Sequence, residues 1–452
     1  MRSKFLAKIF LFFILLYSLI PILHPEEQEQ TKQFELENGL KVFCYERHNL
    51  PLINIVFAVN VGSKDESEKT SGLIHILEHY ILFRGTGSRS GFQVGQDIRE
   101  HGAYFNAHTG RDLAIFELTV PLEYIDFALE NQKEILFNLK LSQKELEKEK
   151  QVILEEIDQL HDDPLKYATS LVLQNLFNNH PYCKPIHGNK EIIKSATVEQ
   201  IEQVYKDYFI PSNCALTLVG DFSIPQIEQK IKDVFGDLKQ KEFTSPKFKK
   251  ISPLNNKIEV EKEMDVNQAY LVIGLLGPDY NHPDQYVIDL LTEILGRGVN
   301  PMLNYPFLGP RELIHSVSMN YTAYKYGGAI LIFFTLDPKN IQFVKNKAIQ
   351  FLKNTRKLDY SKDDYLGEER LHALDFLKSA QNQLKFKFNL SREDSLNMGV
   401  SSARFLLLNE SPQRENYIEK IKEISSTDLR SAASKYLGKN QYVAISILPL
   451  KK

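Results

Sequence analysis

The sequence has little of several features that would assign a chain to a class at once. It contains three cysteines, Cys44, Cys183 and Cys214, which lie far apart and form no Cys-x-x-Cys pair. A disulfide framework and a cysteine-rich metal site are therefore not indicated, and a single disulfide is allowed but not required. The net charge is -3 over 452 residues. The chain thus lacks the basic surface of a nucleic-acid binder, and we expect no nucleic-acid partner.

Long apolar runs are scarce, and the one that stands out occupies residues 9–23, directly after Arg2, Lys4 and Lys8. A basic start followed by an apolar run of this length is typical of a secretory signal peptide. The run is shorter than the roughly 20 residues that span a bilayer. Because no Ala-x-Ala cleavage site is evident, an uncleaved membrane anchor is the alternative to a signal peptide. We predict residues 1–24 to be a signal peptide or an N-terminal membrane anchor, and the protein to be exported, periplasmic or membrane-anchored outside the cytoplasm.

What the sequence does contain is the pattern His75-x-x-Glu78-His79, within an apolar stretch at residues 72–84. On an α-helix, positions three and four apart project from one side, so these three side chains share a face. Two neutral imidazoles can hold one zinc ion, and a catalytic zinc usually takes three protein ligands and leaves one position for water. A carboxylate beside that water can take its proton, and Glu78 can fill this role. The order His-x-x-Glu-His is the inverzincin arrangement. The pattern alone lacks a third ligand.

The alternative interpretation of this motif is a pair of core histidines, because Ile74, Leu77 and Ile81 make the same helix largely apolar. Burying two histidines and a glutamate without partners costs about 2–7 kcal/mol per group. A metal ion satisfies all three groups at once. The metal site is therefore the stronger interpretation.

Elements on either side of the motif follow from periodicity and composition. In a long helical region at 122–160, Glu149 and Glu156 are seven apart, so both carboxylates project from one edge of the helix. A polar, lysine-rich segment with two prolines at 239–257 is typical of a linker. The predicted strands are 39–46, 52–61, 104–109, 113–120 and 213–219, and the further predicted helices are 96–101 and 163–205, the latter broken at 178–185.

The sequence after this segment repeats the sequence before it. Residues 197–219 resemble residues 425–447 at an offset of 228, each a helix followed by a strand. Near the starts, the strand at 269–276 and the helix after it parallel the strand at 52–61 and the motif helix. The chain therefore consists of two related halves.

The second copy of the motif helix carries none of the polar pattern. At an offset of 213, the three motif residues fall on an aliphatic pair and a threonine. Packing evidently does not require polar residues there, which indicates that those of the first copy serve a function. The aligned pairs are His75 with Ile288, Glu78 with Leu291 and His79 with Thr292.

These residues resemble the pitrilysin or insulinase-type zinc metallopeptidases, and most of all the branch with mitochondrial processing peptidase and short bacterial relatives. The family pattern is His-x-x-Glu-His followed by a glutamate after a gap in the mid-seventies of residues. The distance from His79 to Glu156 fits this gap. The sequence is also similar to the family around Asn106 and from Glu149 to Glu156, and the resemblance covers residues 34–450.

The resemblance implies an α+β fold with two homologous domains, each a mostly antiparallel sheet flanked by helices, which together make half of a clamshell peptidase. It implies a catalytic zinc-binding domain at 34–238, a linker at 239–257 and a degenerate peptidase-like domain without zinc ligands at 258–452. Because the family clamshell has four domains, it also implies a homodimer or a heterodimer with a related subunit.

Carried over by position, the resemblance makes His75, His79 and Glu156 the ligands of one zinc ion (Zn2+) per chain. It makes Glu78 the general base, and we group Glu149 with it as a catalytic residue because it matches a family glutamate that supports His79. The implied function is a zinc endopeptidase that hydrolyses short or unfolded peptides. The alternative is a non-catalytic structural or peptide-holding subunit of the same fold.

Three further residues are predicted to bind the peptide substrate. Asn106 and Ala107 match the edge-strand segment that holds a substrate backbone, and an exposed edge can pair with any extended peptide through main-chain hydrogen bonds. In many relatives the second domain supplies an Arg and, about seven residues later, a Tyr. In this sequence Arg311 lies near that segment and His315 stands where the Tyr would be, so Arg311 is predicted to act from a shifted position unless another subunit supplies the pair.

Overall fold

The framework of the protein is a pair of large β-sheets, one from each half of the chain. The first sheet contains β1 (Gln30–Glu35), β2 (Lys41–Glu46), β3 (Leu52–Val59), β4 (Tyr104–Thr109), β5 (Ala114–Pro121) and β6 (Cys214–Gly220). The second contains β7 (Ile258–Met264), β8 (Ala269–Gly277), β9 (Ser316–Tyr324), β10 (Gly327–Leu336) and β13 (Val443–Pro449). Two short strands, β11 (Tyr365–Leu366) and β12 (Glu369–Arg370), pair with each other in a separate sheet.

The structure is a computed structural model, and the part of the chain that it describes excludes the predicted leader at 1–24 and Arg311. No helix within the described part is both long and apolar enough to cross a membrane. The described residues are 30–298, 301–307, 313–360, 365–366, 369–370, 376–408 and 416–451.

The two sheets share one topology. The spatial order of the first is β1-β2-β6-β3-β5-β4, and that of the second is β7-β13-β8-β10-β9, so the orders match strand for strand once β1 is set aside. In each sheet the first of the matching pairs is parallel, β2 with β6 and β7 with β13, and the other pairs are antiparallel. The predicted fold, two homologous halves with mostly antiparallel sheets flanked by helices, is confirmed.

Helices cover the sheets in both halves. In the first half they are α1 (Leu73–Phe83), α2 (Gly91–Glu100), α3 (Ile125–Phe137), α4 (Gln143–Asp162), α5 (Pro164–Leu176), α6 (Lys190–Ser195), α7 (Val198–Tyr208) and α8 (Ile224–Phe235). In the second half they are α9 (Asp284–Thr292), α10 (Ile341–Asn354), α11 (Phe376–Ser391), α12 (Ser395–Leu408), α13 (Tyr417–Glu423) and α14 (Ser426–Ala432).

The repeated helix starts are set by the same local interaction. Thr197 caps α7 and Ser425 caps α14, and each hydroxyl accepts a backbone N–H from the first turn at 3.3 Å. The side chains of Gln200 and Asp428 bond back to the backbone N–H of the capping residues, at 3.0 and 2.8 Å. These reciprocal capping boxes are related by the offset that the sequence repeat predicts.

Two helical predictions differ from the structure because serine caps start helices inside apolar patterns. The region predicted as one helix at 122–160 is divided into α3 and α4, and Ser142 begins α4 by accepting a backbone N–H at 3.4 Å. The helix predicted at 96–101 starts earlier, at Gly91, behind a capping box on Ser90. The segment 239–257 contains neither helix nor strand, and the domain boundaries stay a prediction.

Each half lends one helix to the sheet of the other half. Helix α5 packs on β8 and β13, where a Cβ at Gly274 would lie 2.2 Å from the side chain of Val172. Helix α12 packs on β3 and β6, where the carbonyl of Gly399 accepts a hydrogen bond from Thr217 Oγ1 at 2.8 Å. The two halves are therefore held together by two equivalent helix-on-sheet contacts. The sequence patterns did not predict this exchange.

Candidate metal centre

Helix α1 places the predicted motif between the first sheet and helix α4. Leu73, Ile76, Leu77 and Tyr80 form its apolar face and are buried against the sheet. The helix begins behind Gly72, and the carboxylate of Glu66 accepts the backbone N–H groups of Gly72 and Ile74, both at 2.9 Å. A carboxylate at a helix start satisfies free N–H groups and complements the helix dipole. The position of the motif is therefore fixed from its N-terminal end.

The three predicted zinc ligands come together on the other face of α1. Nε2 of His75 lies 3.7 Å from one carboxylate oxygen of Glu156, and Nε2 of His79 lies 3.5 Å from the other. The two imidazole rings are nearly perpendicular, with centroids 4.7 Å apart. Glu156 reaches this place from the middle of α4. Two helices thus bring together residues that are far apart in sequence.

The distances from Glu156 to the two histidines, each measured to a different carboxylate oxygen, are compatible with a zinc ion. Bonds of about 2.1 Å in a tetrahedral site place neighbouring ligand atoms about 3.4 Å apart, close to the distances between Glu156 and the two histidines. Nitrogen and carboxylate donors are also the types that zinc takes in catalytic sites. Nδ1 of His75 is buried without a hydrogen-bond partner among the described residues, whereas Nε2, on the side of Glu156, is the nitrogen available to a metal ion.

Glu149 lies behind His79 rather than on the side of Glu156. Its carboxylate accepts a hydrogen bond from Nδ1 of His79 at 3.2 Å, and it also pairs with Arg84. Because Nδ1 carries the hydrogen, the lone pair on Nε2 is directed to the side of Glu156. Glu149 is almost fully buried, with 1% of its surface exposed. This carboxylate–histidine pair is the arrangement that orients metal-binding histidines.

The surroundings change the pKa of both histidines. Burial, together with His79 and His187, lowers the pKa of His75 to about 3, so its imidazole is neutral at pH 7. Burial alone would lower the pKa of His79, but the hydrogen bond to Glu149 and the charges of Glu156 and Glu78 raise it above its ordinary value. Neutral imidazole is the form that binds a metal, and His75 is already held in that form.

Glu78 is the fourth residue of the predicted set and lies among the ligands. Its carboxylate accepts a hydrogen bond from Oγ1 of Thr109 at 2.7 Å. Burial raises the pKa of Glu78, against the opposing effects of Thr109 and His79. Thr109 is the last residue of β4, so the edge strand and the metal helix meet at this carboxylate.

The predicted substrate-binding residues are only partly described. Strand β4 is the last strand of the first sheet and pairs with β5, with Asn106 exposed and Ala107 buried. Arg311 lies outside the described residues and stays a prediction. The ring of His315 contacts Gln268 at 3.0 Å and Asp337 at 3.5 Å, at the start of β9.

The sequence analysis missed one residue of the cluster, His187. The ligand atoms of His75, Glu156 and His187 all lie within 4.8 Å of one another. The rings of His75 and His187 meet edge to face, with centroids 5.0 Å apart. His187 lies after α5 in a turn-rich segment, where no helical or strand period relates it to the motif.

Comparisons with known proteins give matches in both halves of the chain. Residues 42–190 match the family model described as "Insulinase (Peptidase family M16)", and residues 195–367 match the one described as "Peptidase M16 inactive domain". The two models of one family therefore cover the metal cluster in the first half and most of the second half.

Relatives and solved structures match over most of the chain. The "Uncharacterized zinc protease YmxG" of Bacillus subtilis is 23% identical over 80% of this chain and 85% of its own length. The "Probable mitochondrial-processing peptidase subunit beta" of Schizosaccharomyces pombe is 27% identical over 62% of each chain. The crystal structure of a protease from Helicobacter pylori, 21% identical, shares the fold with a TM-score of 0.84 over 93% of this chain and all of that one. With both family models matched, the chain belongs to the M16, or insulinase-type, peptidase family.

Proposed function

We propose that the protein is a zinc-dependent endopeptidase that hydrolyses short or unfolded peptides, with Glu78 as general base. The observation that carries the proposal is the convergence of His75, His79 and Glu156 at zinc-like spacing, with Glu78 beside them. Relatives named as zinc proteases support the same reaction class.

The three side chains at the centre would hold the metal ion. His75 and His79 contribute their Nε2 atoms and Glu156 a carboxylate oxygen. When bound, a zinc ion lowers the pKa of a water molecule to about 7 and polarises a carbonyl group. Glu149 and Arg84 act through His79, because they hold the ring that presents Nε2. We therefore assign a positioning role to Glu149, which the family resemblance had grouped with Glu78 as a catalytic residue.

Glu78 moves the proton in this proposal. Its carboxylate takes a proton from the attacking water and delivers it to the leaving amine. The hydrogen bond from Oγ1 of Thr109 to one carboxylate oxygen holds the orientation of this carboxylate. The buried setting limits competition from bulk solvent, which strengthens such an interaction.

The substrate would bind as an added strand on β4. The exposed edge of that strand offers backbone groups near Asn106 and Ala107, just before Thr109. A peptide paired to this edge is extended and passes the carboxylate of Glu78. Edge pairing uses main-chain hydrogen bonds, so it selects an extended, unfolded chain rather than a particular side chain.

The alternative function is a non-catalytic subunit that holds peptides or a partner. The match of residues 195–367 to a model described as an inactive domain favours it for the second half. That half has Ile288 and Leu291 where the first half has His75 and Glu78. The first half keeps the full set, so we place catalysis there.

Assembly and location are further parts of the proposal. We propose a homodimer, or a heterodimer with a related subunit, because the resemblance makes this chain half of a clamshell and one relative is named a subunit. Light scattering of the active species tests this, and a fully active monomer would contradict it. Residues 1–24 support export or a membrane tether, which cell fractionation with N-terminal sequencing tests.

The central experiment compares the wild type with Glu78→Gln on a quenched, unstructured peptide, with zinc content measured in both. Loss of a general base costs about 10²–10⁴-fold in rate, so we expect kcat to fall by at least that lower figure. Zinc content is expected to stay the same, because Glu78 is not a ligand. A zinc-loaded wild type that cuts no peptide in any dimeric state would favour the peptide-holding subunit.

A further inference from the structure

His187 occupies a place beside the metal centre that the proposed mechanism does not use. One ring nitrogen of His187 lies within 4.8 Å of a ring nitrogen of His75 and of a carboxylate oxygen of Glu156. Its ring packs edge to face on His75. The ring makes no hydrogen bond to any other described residue. The side chain is half-buried and lines a cavity, so its ring has room to turn toward the two ligand side chains.

A close backbone contact fixes the position of His187. The next residue, Gly188, packs on Gly72 at the start of α1, and a Cβ at Gly188 would lie 2.4 Å from Cα of Gly72 and 2.6 Å from the carbonyl oxygen of Ser71. Both glycines have positive φ, +82° and +97°, a conformation that glycine adopts without strain. The loop thus approaches the metal helix as closely as two backbones can.

The chain after His187 is held as well. The backbone N–H of Asn189 donates to the carbonyl of Ser71 at 3.4 Å, and the side chain of Asn189 caps α6. The loop is therefore tied to the residue before α1 and to the start of the next helix. His187 consequently keeps its place relative to His75, which lies in the first turn of α1.

We infer that His187 is a fourth protein ligand of the metal ion when no peptide is bound. This inference rests on the proposed metal centre and adds a residue to it. Three protein ligands leave one position of a tetrahedral zinc site open, and the imidazole of His187 faces the same cluster. Ligand atoms within 4.8 Å of one another come to the spacing of about 3.4 Å that a tetrahedral zinc site requires through small side-chain shifts.

The setting of His187 also suggests how a peptide would compete with it. The residue lines a cavity of about 1140 Å³ that extends from His187 to residues Ser316, Ser318 and Asn320 of β9. Displacement of the ring toward this cavity would free the fourth position for catalysis. His187 therefore would make the resting site a closed one with four protein ligands.

The test uses cobalt in place of zinc, because the visible spectrum of Co²⁺ reports the number and type of its ligands. The full chain is loaded with Co²⁺ as wild type, His187→Ala and His187→Cys. The matched control is His161→Ala, since His161 lines the same cavity but is outside the ligand cluster. Zinc affinity is measured in parallel by competition with a chelator.

If the inference holds, His187→Ala changes the cobalt spectrum and weakens zinc binding by at least about tenfold, the lower end of what even outer-shell changes cost. His187→Cys shows a thiolate-to-cobalt charge-transfer band, which arises only when residue 187 reaches the metal. His161→Ala behaves as wild type.

Two outcomes would overturn the inference, and only the second of them also overturns the proposed function. An unchanged spectrum and affinity in His187→Ala, with no charge-transfer band in His187→Cys, would leave a three-ligand zinc site and remove His187 from it. A wild-type chain that binds neither Co²⁺ nor Zn²⁺ would remove the metal centre as a whole.

Discussion

Helices α1 and α9 occupy equivalent places in the two halves, and they differ in the residues on one face. Helix α1 carries two histidines and a glutamate on the face where α9 carries Ile288, Leu291 and Thr292, all fully or almost fully buried. The hydroxyl of Thr292 bonds to the carbonyl of Ile288 within its own helix, at 2.7 Å. The fold therefore fills this position with ordinary packing in one half.

The polar residues of α1 are buried nearly as deeply. His75, Glu78 and His79 expose 7%, 4% and 7% of their surfaces. Burying such groups costs free energy unless each finds a partner, and α9 shows that the architecture does not need them. Their presence in α1 supports the proposed metal site over a packing role.

The largest expected effect comes from removing the ligand that α4 supplies. Glu156→Gln keeps the shape of the side chain but removes its charge, so we expect zinc affinity to fall by more than the roughly 100-fold that outer-shell changes reach. Peptide cleavage falls with it. The control is Glu155→Gln, an exposed neighbour on the same helix. Equal zinc affinity in both variants, measured by chelator competition, would show that Glu156 is not a ligand.

The next effect concerns the apolar copy. Leu291→Ala, at the position that corresponds to Glu78, leaves a cavity in the second core and should lower the free energy of unfolding by about 2–5 kcal/mol. Zinc affinity should not change, since α9 holds no ligand. Denaturant unfolding and zinc titration of the same preparation measure both quantities. Weaker zinc binding by the folded variant would show that the second half contributes to metal binding.

The smallest expected effect is that of Glu149→Gln. The hydrogen bond that orients His79 is weakened and Arg84 loses its buried partner, so zinc affinity should fall about 10–100-fold. Glu145→Gln is the matched control, because Glu145 also approaches Arg84, at 3.5 Å, but from a half-buried position away from His79. If both variants bind zinc like the wild type, Glu149 has no positioning role.

Much of the difference between α1 and α9 could be predicted from the sequence. The spacing of His75, Glu78 and His79 requires only helical geometry, and the repeat identifies their apolar counterparts in α9. The position of Glu156 followed from the family resemblance, because no local pattern relates residues of two different helices. Five of the six strands of the first sheet were predicted from local patterning, and the offset between the two halves from the sequence repeat.

The missed features depend on contacts between distant segments. His187 reaches the cluster because Gly188 packs on Gly72, far earlier in the chain, and a glycine in a turn does not reveal its partner. The exchange of α5 and α12 between the sheets is likewise a tertiary choice. Helix boundaries at Ser90 and Ser142 were missed for a local reason, because each cap lies next to residues that fit a helical pattern.

The zinc content of the dialysed wild-type chain, determined by elemental analysis beside the double variant His75→Ala with His79→Ala, tests the central claim most directly. We expect one zinc ion per chain in the wild type and none in the double variant, since α9 offers no second site. Two ions per chain in the wild type, or zinc retained by the folded double variant, would contradict it.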